Sequence, residues 1–142
     1  TRAEVATIFF RLLTDDVRDE NLTKTNRYSD VAATSWYNTA VSTLSSMGII
    51  TGYPDGTFGP QRDITRAETM ALVNRVLNRQ PETEDDLLPN MTVWTDNANP
   101  KAWYYLAVQE ATNSHYYKFK TNSKYEKWTE LRKARDWTLL EK

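Results

Sequence analysis

The sequence predicts an all-α fold built of helix–loop–helix repeats, and three observations predict it. Thr1-Arg2-Ala3-Glu4 recurs as Thr65-Arg66-Ala67-Glu68, 64 residues further on, and each copy opens a run of apolar residues at helical spacing, with Ile8 matching Leu72, Phe9 matching Val73 and Leu13 matching Leu77. All four glycines, Gly48, Gly52, Gly56 and Gly59, fall in the single stretch Met47 to Glu68. Later, Trp94-Thr95-Asp96 stands 66 residues after Tyr28-Ser29-Asp30, and Trp103 stands 67 after Trp36. A fixed internal period is a statement about architecture, because each repeat is a unit that covers its apolar face with its neighbours.

Taken in order, residues 1–20 read as the C-terminal helix of a truncated first repeat. Its apolar face (Val5, Ile8, Phe9, Leu12) needs cover from later helices or from a neighbour. The stretch from Thr14 to Arg27 is charged and weakly periodic, and reads as a linker. Residues 28–79 read as one complete repeat. Its first helix places Trp36, Tyr37, Ala40, Val41, Leu44 and Met47 on one face and stops at Gly48. Pro54-Asp55-Gly56 is a turn signal, and Thr65 with Glu68 forms a capping box that opens a helix running to about Asn78. Residues 80–93 read as an acidic linker, bounded by Pro81 and Pro89; Glu82, Glu84, Asp85 and Asp86 lack the spacing and central glycine of a calcium loop.

Residues 94–142 read as a degenerate third repeat with a basic tail. A helix is predicted over about Lys101 to Thr112. After it the glycine loop is replaced by NSHYYKFKTNSKYEKWTE, which holds no glycine, and Glu130 stands where the repeat has Arg66. Residues 113–142 carry eight Lys/Arg against four Asp/Glu.

Composition excludes several classes. The net charge of −1 gives no support to nucleic-acid binding. With no cysteine, disulfide staples, thiolate metal sites and cysteine nucleophiles are excluded. No apolar run approaches the roughly 20 residues of a membrane helix. Five Trp and eight Tyr suit an amphipathic core, a carbohydrate-facing surface, or both.

The segment GIITGYPDGTFGPQRDITRAE, preceded by Tyr28-Ser29-Asp30-Val31 and Trp36, resembles the S-layer homology domain of bacterial cell-surface proteins. The resemblance covers residues 28–78 strongly, 1–13 in part and 94–140 weakly. It implies an all-α fold in which three helix–loop–helix repeats pack about a pseudo-threefold axis, here with the third repeat divergent. It also implies an extracellular module that holds a surface or S-layer protein non-covalently on the bacterial cell wall. The ligand it implies is an anionic, often pyruvylated secondary cell-wall polysaccharide, with no cofactor, no metal and no catalysis. The alternatives are an S-layer assembly module acting by self-association, and part of a wall-glycan-degrading enzyme, although no carboxylate pair stands apart from the solvated ones.

Candidate ligand contacts follow, each with a structural alternative. Arg66, and by repetition Arg2, places a planar guanidinium at a helix N-terminus, suited either to an anionic ligand or to an internal salt bridge with Glu68 or Asp30. The resemblance favours the ligand, because this motif's arginine is implicated in polysaccharide binding. Asp30 and Trp36 either line the same groove or serve as a turn residue and the first core residue of a helix. Gly48 and Gly52 act through backbone N–H groups or simply shape the loop. Tyr53 and Asp55 are exposed-turn candidates. His115, the single histidine, has no acidic or hydroxyl partner in its local pattern and reads as structural or exposed.

Overall fold

The computed structural model describes residues 1–133 and 136–140; the end of the basic tail, with Arg135, Glu141 and Lys142, lies outside the described residues. The chain divides into two compact units, Thr1–Arg66 and Ala67–Lys142.

The first unit contains α1 (Arg2–Leu12), α2 (Asp15–Asn21) and α3 (Asn38–Ser46), followed by the glycine loop. Thr1 and Glu4 close a capping box on α1: the Thr1 hydroxyl accepts the Glu4 N–H, and Glu4 accepts the Thr1 backbone N–H. The helix packs on α3 through Ala3 and Ala6, whose small side chains allow a close approach. Of the face expected to need cover, Val5 and Phe9 are half-buried, while Ile8 and Leu12 remain 55% and 69% exposed. The segment expected as a linker after α1 holds the short helix α2, which also lies against α3. The chain beyond α2 is tied to α3 by polar contacts, with the Thr23 N–H donating to Thr43 Oγ1 at 3.1 Å and Asn38 Nδ2 to the Lys24 carbonyl at 2.9 Å.

Ala40, Val41 and Leu44 form the buried face of α3, as the spacing predicts. Gly48 ends the helix at φ +70°, where the Ile49 N–H reaches back to the Leu44 carbonyl at 2.9 Å. This is the left-handed helix stop that glycine supplies without steric cost.

The second unit contains the body of α4 (Arg66–Val76), α5 (Tyr105–Thr112) and an antiparallel hairpin of β1 (His115–Phe119) and β2 (Glu126–Leu131), with a bulge between Tyr116 and Tyr117. Asn78 takes the left-handed stop after α4 at φ 53°, and the Arg79 N–H returns to the Asn74 carbonyl at 2.8 Å. Asn74 in turn donates to the Ala107 carbonyl at 2.9 Å, which joins α4 to α5. Leu87, Tyr105 and Trp128 form the core of this unit. Burying Trp128 to 2% exposure sets the hairpin in place, and truncating such a side chain costs about 3–5 kcal/mol. The segment 80–93 contains a short 3-10 turn, Glu84–Asp86, and Lys120 pairs with Glu82 at 2.7 Å and Asp86 at 3.1 Å.

The hairpin corrects the all-α expectation: the fold is mixed, five helices with one two-stranded sheet among the described residues. The reason lies at the end of α5. Where α3 has a left-handed glycine to turn the chain, α5 has Asn113 at φ −111°, ψ 120°, so the chain leaves in extended conformation. Aromatic and β-branched residues follow (Tyr116, Tyr117, Phe119, Trp128, Thr129), and these fit a pleated surface. Among the described residues no helix is long and apolar enough to cross a membrane.

Candidate functional site

The glycine loop is a clamped structure. At its tip the Gly56 N–H donates to the Tyr53 carbonyl at 3.1 Å, and the Tyr53 N–H to the Thr57 carbonyl at 2.7 Å. Asp55 Oδ1 accepts both the Thr57 N–H, at 3.0 Å, and the Thr57 hydroxyl, at 2.7 Å. The Thr57 hydroxyl and backbone N–H hold the Asp55 carboxyl below its ordinary value. Gly52 is required for space: a Cβ there would lie 2.4 Å from both the Thr57 carbonyl oxygen and Tyr28 Cε1.

Two charged residues grip the loop from outside it. Asp30 accepts the Phe58 N–H on Oδ1 and the Gly59 N–H on Oδ2, each at 2.8 Å. Arg2 is buried; its Nε donates to the Phe58 carbonyl and its Nη2 to the Thr51 carbonyl, each at 2.9 Å. Its guanidinium carbon also lies 4.8 Å from the Tyr53 ring centre and 4.7 Å from that of Phe58. The N-terminus of α1 completes the grip, with the Arg2 and Ala3 N–H groups donating to the Arg62 and Pro60 carbonyls at 2.9 and 3.0 Å. Free N–H groups at a helix start are satisfied here by loop carbonyls.

Of the candidates, then, Arg2, Asp30, Gly52 and Tyr53 come together in one clamp, Asp55 shapes the tip and Gly48 sets the entry. Trp36 is 64% exposed, outside the core, with its ring edge-on to Tyr37 at 5.2 Å. Arg66 is exposed at the first position of α4. One residue missed as a site candidate is Arg62, whose guanidinium covers Tyr53 at 4.6 Å on the exposed side of the loop. Its place two residues after Gly59-Pro60, at the close of that turn, is the available signal.

A second polar cluster lies in the second unit. Arg79 pairs with Glu126 through Nε and donates from Nη2 to Glu110 Oε1 at 3.1 Å. His115 Nε2 lies 3.1 Å from Glu126 Oε1 and 3.3 Å from Glu110 Oε1. Trp128 donates its indole N–H to Glu110 Oε2 at 2.8 Å and stacks on His115 at 4.0 Å. Burial disfavours charge on His115, but its hydrogen bond to Glu110, the Asn113 carbonyl and Glu126 outweigh that and raise its pKa. Burial pushes the Glu110 carboxyl up, and the hydrogen bonds from His115 and Trp128 with the charges of His115 and Arg79 bring it below its ordinary value. His115 is thus a buried member of an ion network and not a residue without acidic partners. No local pattern revealed it, since the four charged residues span positions 79 to 126.

Comparison with known proteins places the first of these regions. Residues 27–70 match the S-layer homology domain family. The chain is 41% identical over 87 residues to cell surface glycoprotein 1 of Acetivibrio thermocellus, covering 57% of this chain and 4% of that protein. It is 35% identical over 124 residues to the cellulosome-anchoring protein of the same organism, covering 83% and 25%. To the middle cell wall protein of Brevibacillus brevis it is 31% identical over 102 residues, covering 72% and 9%. The chain thus spans a quarter or less of the length of these curated relatives. No solved structure matches. The matched residues contain Asp30, Trp36, α3 and the whole clamped loop, and over them the chain carries an S-layer homology domain.

Proposed function

We propose that the chain is a non-covalent anchoring module that holds a surface protein on the bacterial cell wall by binding an anionic, pyruvylated secondary wall polysaccharide. The observation that carries this is the coincidence of the family match with the clamped loop: the matched residues are those that Asp30, Gly48 and Gly52 hold in a fixed shape. The names of two relatives, a cellulosome-anchoring protein and a middle cell wall protein, agree with attachment as the task, and neither name describes an enzyme.

In this reading the candidates divide by role. Arg2 and Asp30 position the loop. Arg66, exposed at the start of an 11-residue helix, meets a carboxylate of the glycan with a planar pair of donors. Trp36 offers an exposed ring face to a sugar, and Tyr53 and Asp55 border the same loop surface. Several weak contacts along one polymer hold it through effective concentration.

The test is a pull-down of the chain with wall sacculi before and after removal of the secondary polysaccharide. Retention only on untreated sacculi, weakened by Arg66→Ala, is the expected outcome. Equal retention on both overturns the polysaccharide as ligand. A second reading, assembly by self-association, is favoured by the exposed Ile8 and Leu12 on α1. Concentration-dependent oligomers without sacculus binding would select it.

A further inference from the structure

The cluster around His115 converges on one point. The ends of three elements supply it: Glu110 from the last turns of α5, His115 from the start of β1 and Glu126 from the start of β2. Their side chains are 4%, 3% and 0% exposed. One ligand atom from each lies within 4.8 Å of the others. We propose that Glu110, His115 and Glu126 form a site for a divalent transition metal of the Zn²⁺ class, in which the ion takes the place that the Arg79 guanidinium fills.

Both edges that His115 makes suit such an ion, and the edge between the two carboxylates, within 4.8 Å with the guanidinium between them, closes when the guanidinium leaves. A tetrahedral centre with bonds of about 2.0–2.1 Å has ligand-to-ligand edges of roughly 3.3–3.4 Å. His115 Nε2 is 3.3 Å from Glu110 Oε1 and 3.1 Å from Glu126 Oε1. The outer contacts orient the ligands as metal sites require. His115 Nδ1 meets the Asn113 carbonyl at 2.6 Å, which directs Nε2 at the carboxylates. Trp128 takes Glu110 Oε2 at 2.8 Å, which leaves Oε1 for the centre, and its ring fixes the imidazole plane by stacking. Imidazole with carboxylate selects a borderline metal over Ca²⁺ or Mg²⁺, which take all-oxygen shells.

Arg79 marks the position. Its Nη2 stands 2.9 Å from His115 Nε2, 3.1 Å from Glu110 Oε1 and 3.2 Å from Glu126 Oε1. Of these three neighbours only the two carboxylate oxygens accept whatever the protonation of His115, whereas a metal ion coordinates all three once Nε2 gives up its proton. Arg79 is also the most exposed of the four, at 26%, and it lines a cavity of about 290 Å³ together with Glu110, His115, Asn113, Ser114 and Arg132. The guanidinium can leave by that side, and the fourth coordination position then faces the cavity. A bound ion would tie both strands of the hairpin to α5.

The experiment uses the single histidine as its own reporter. Imidazole nitrogen NMR of the whole chain is followed during titration with Zn²⁺, and Co²⁺ absorption reports the coordination. The expected result is a shift of the Nε2 resonance to a metal-bound value with Nδ1 still protonated, and a rise in thermal midpoint. Arg79→Met should bind at least about tenfold tighter, since no charge-assisted pair then has to be broken. Zn²⁺ should also restore to that variant the stability lost with the arginine. An Nε2 resonance unmoved by Zn²⁺ in both chains overturns the proposal, and the cluster is then an ion-pair brace alone. If Arg79→Met does not fold with or without Zn²⁺, the result for the unaltered chain decides.

Discussion

The segments that follow α3 and α5 each come after a helix with a Trp-Tyr pair ahead of it, and they are closed by opposite means. After α3, Gly48 turns the chain into a loop whose backbone groups are gripped by Asp30 and Arg2. After α5, Asn113 sends the chain out extended into a hairpin, which is gripped by its own side chains: Trp128 in the core and Arg79, Glu110, His115 and Glu126 in one buried network. The first solution fixes backbone, buries Phe58, and leaves Pro54 and Asp55 exposed at the tip. The second turns its functional-looking side chains inward. The presence or absence of glycines therefore decides which part of the chain supplies the stability.

The largest effect is expected from breaking the second grip. Arg79→Ala leaves two buried carboxylates with only His115 between them, and removing one partner of such a network costs several kcal/mol. Because Arg79 is partly exposed, about 3 kcal/mol is expected, read by urea denaturation in the presence of a chelator. Next comes the first grip. Gly52→Ala drives a Cβ into the Thr57 carbonyl and the Tyr28 ring, an overpacking worth about 2 kcal/mol, whereas Gly→Ala at an unconstrained site would be neutral or better. Asp30→Ala removes the acceptor of two backbone N–H groups and should cost about 1–2 kcal/mol, with faster amide exchange at Phe58 and Gly59 as the specific sign.

These two grips were not equally legible in the sequence. Gly48 as a helix stop, the buried Ala40–Val41–Leu44 face and the Pro54-Asp55-Gly56 turn are local features, and they are visible wherever residues within a few positions decide the conformation. The hairpin is hidden because the repeat argues for a helix–loop–helix unit, and the aromatic run from His115 to Phe119 reads only as a loop that has lost its glycines. Its network joins residues 31 to 47 positions apart from Arg79, so no spacing rule exposes it. For Arg2 and Asp30 the residues leave open a ligand contact or a structural role, and the family resemblance favours the ligand for the motif's arginine. That both face backbone groups of Phe58 could be learned only from the fold.

The pH response separates the regions further. His115 has a folded pKa above its ordinary 6.5, so its contribution is fully present below that value and is lost as pH rises through the folded one. Glu110 has a folded pKa below its ordinary 4.5, so its contribution is present above that value and is lost as pH falls through the folded one. With a chelator present, the stability of the hairpin unit should peak between these limits and decline on both sides. Trp128 fluorescence against pH reads it; a midpoint rising steadily above neutrality would contradict the assignment of His115.

The smallest effects on stability, and the sharpest contrast in binding, are expected at the paired tryptophans. Trp36 and Trp103 are 64% and 66% exposed, and each sits edge-on to the tyrosine that follows it, at 5.2 and 5.5 Å. Their local construction is the same, so truncation of either should change stability by no more than about 0.5 kcal/mol. What differs is the segment after the next helix: a clamped glycine loop in one case, a hairpin in the other. If the loop makes the glycan site, Trp36→Ala weakens retention on wall sacculi and Trp103→Ala does not. Equal losses at both positions would mean that the exposed ring suffices and that the glycine loop is not what distinguishes the two units.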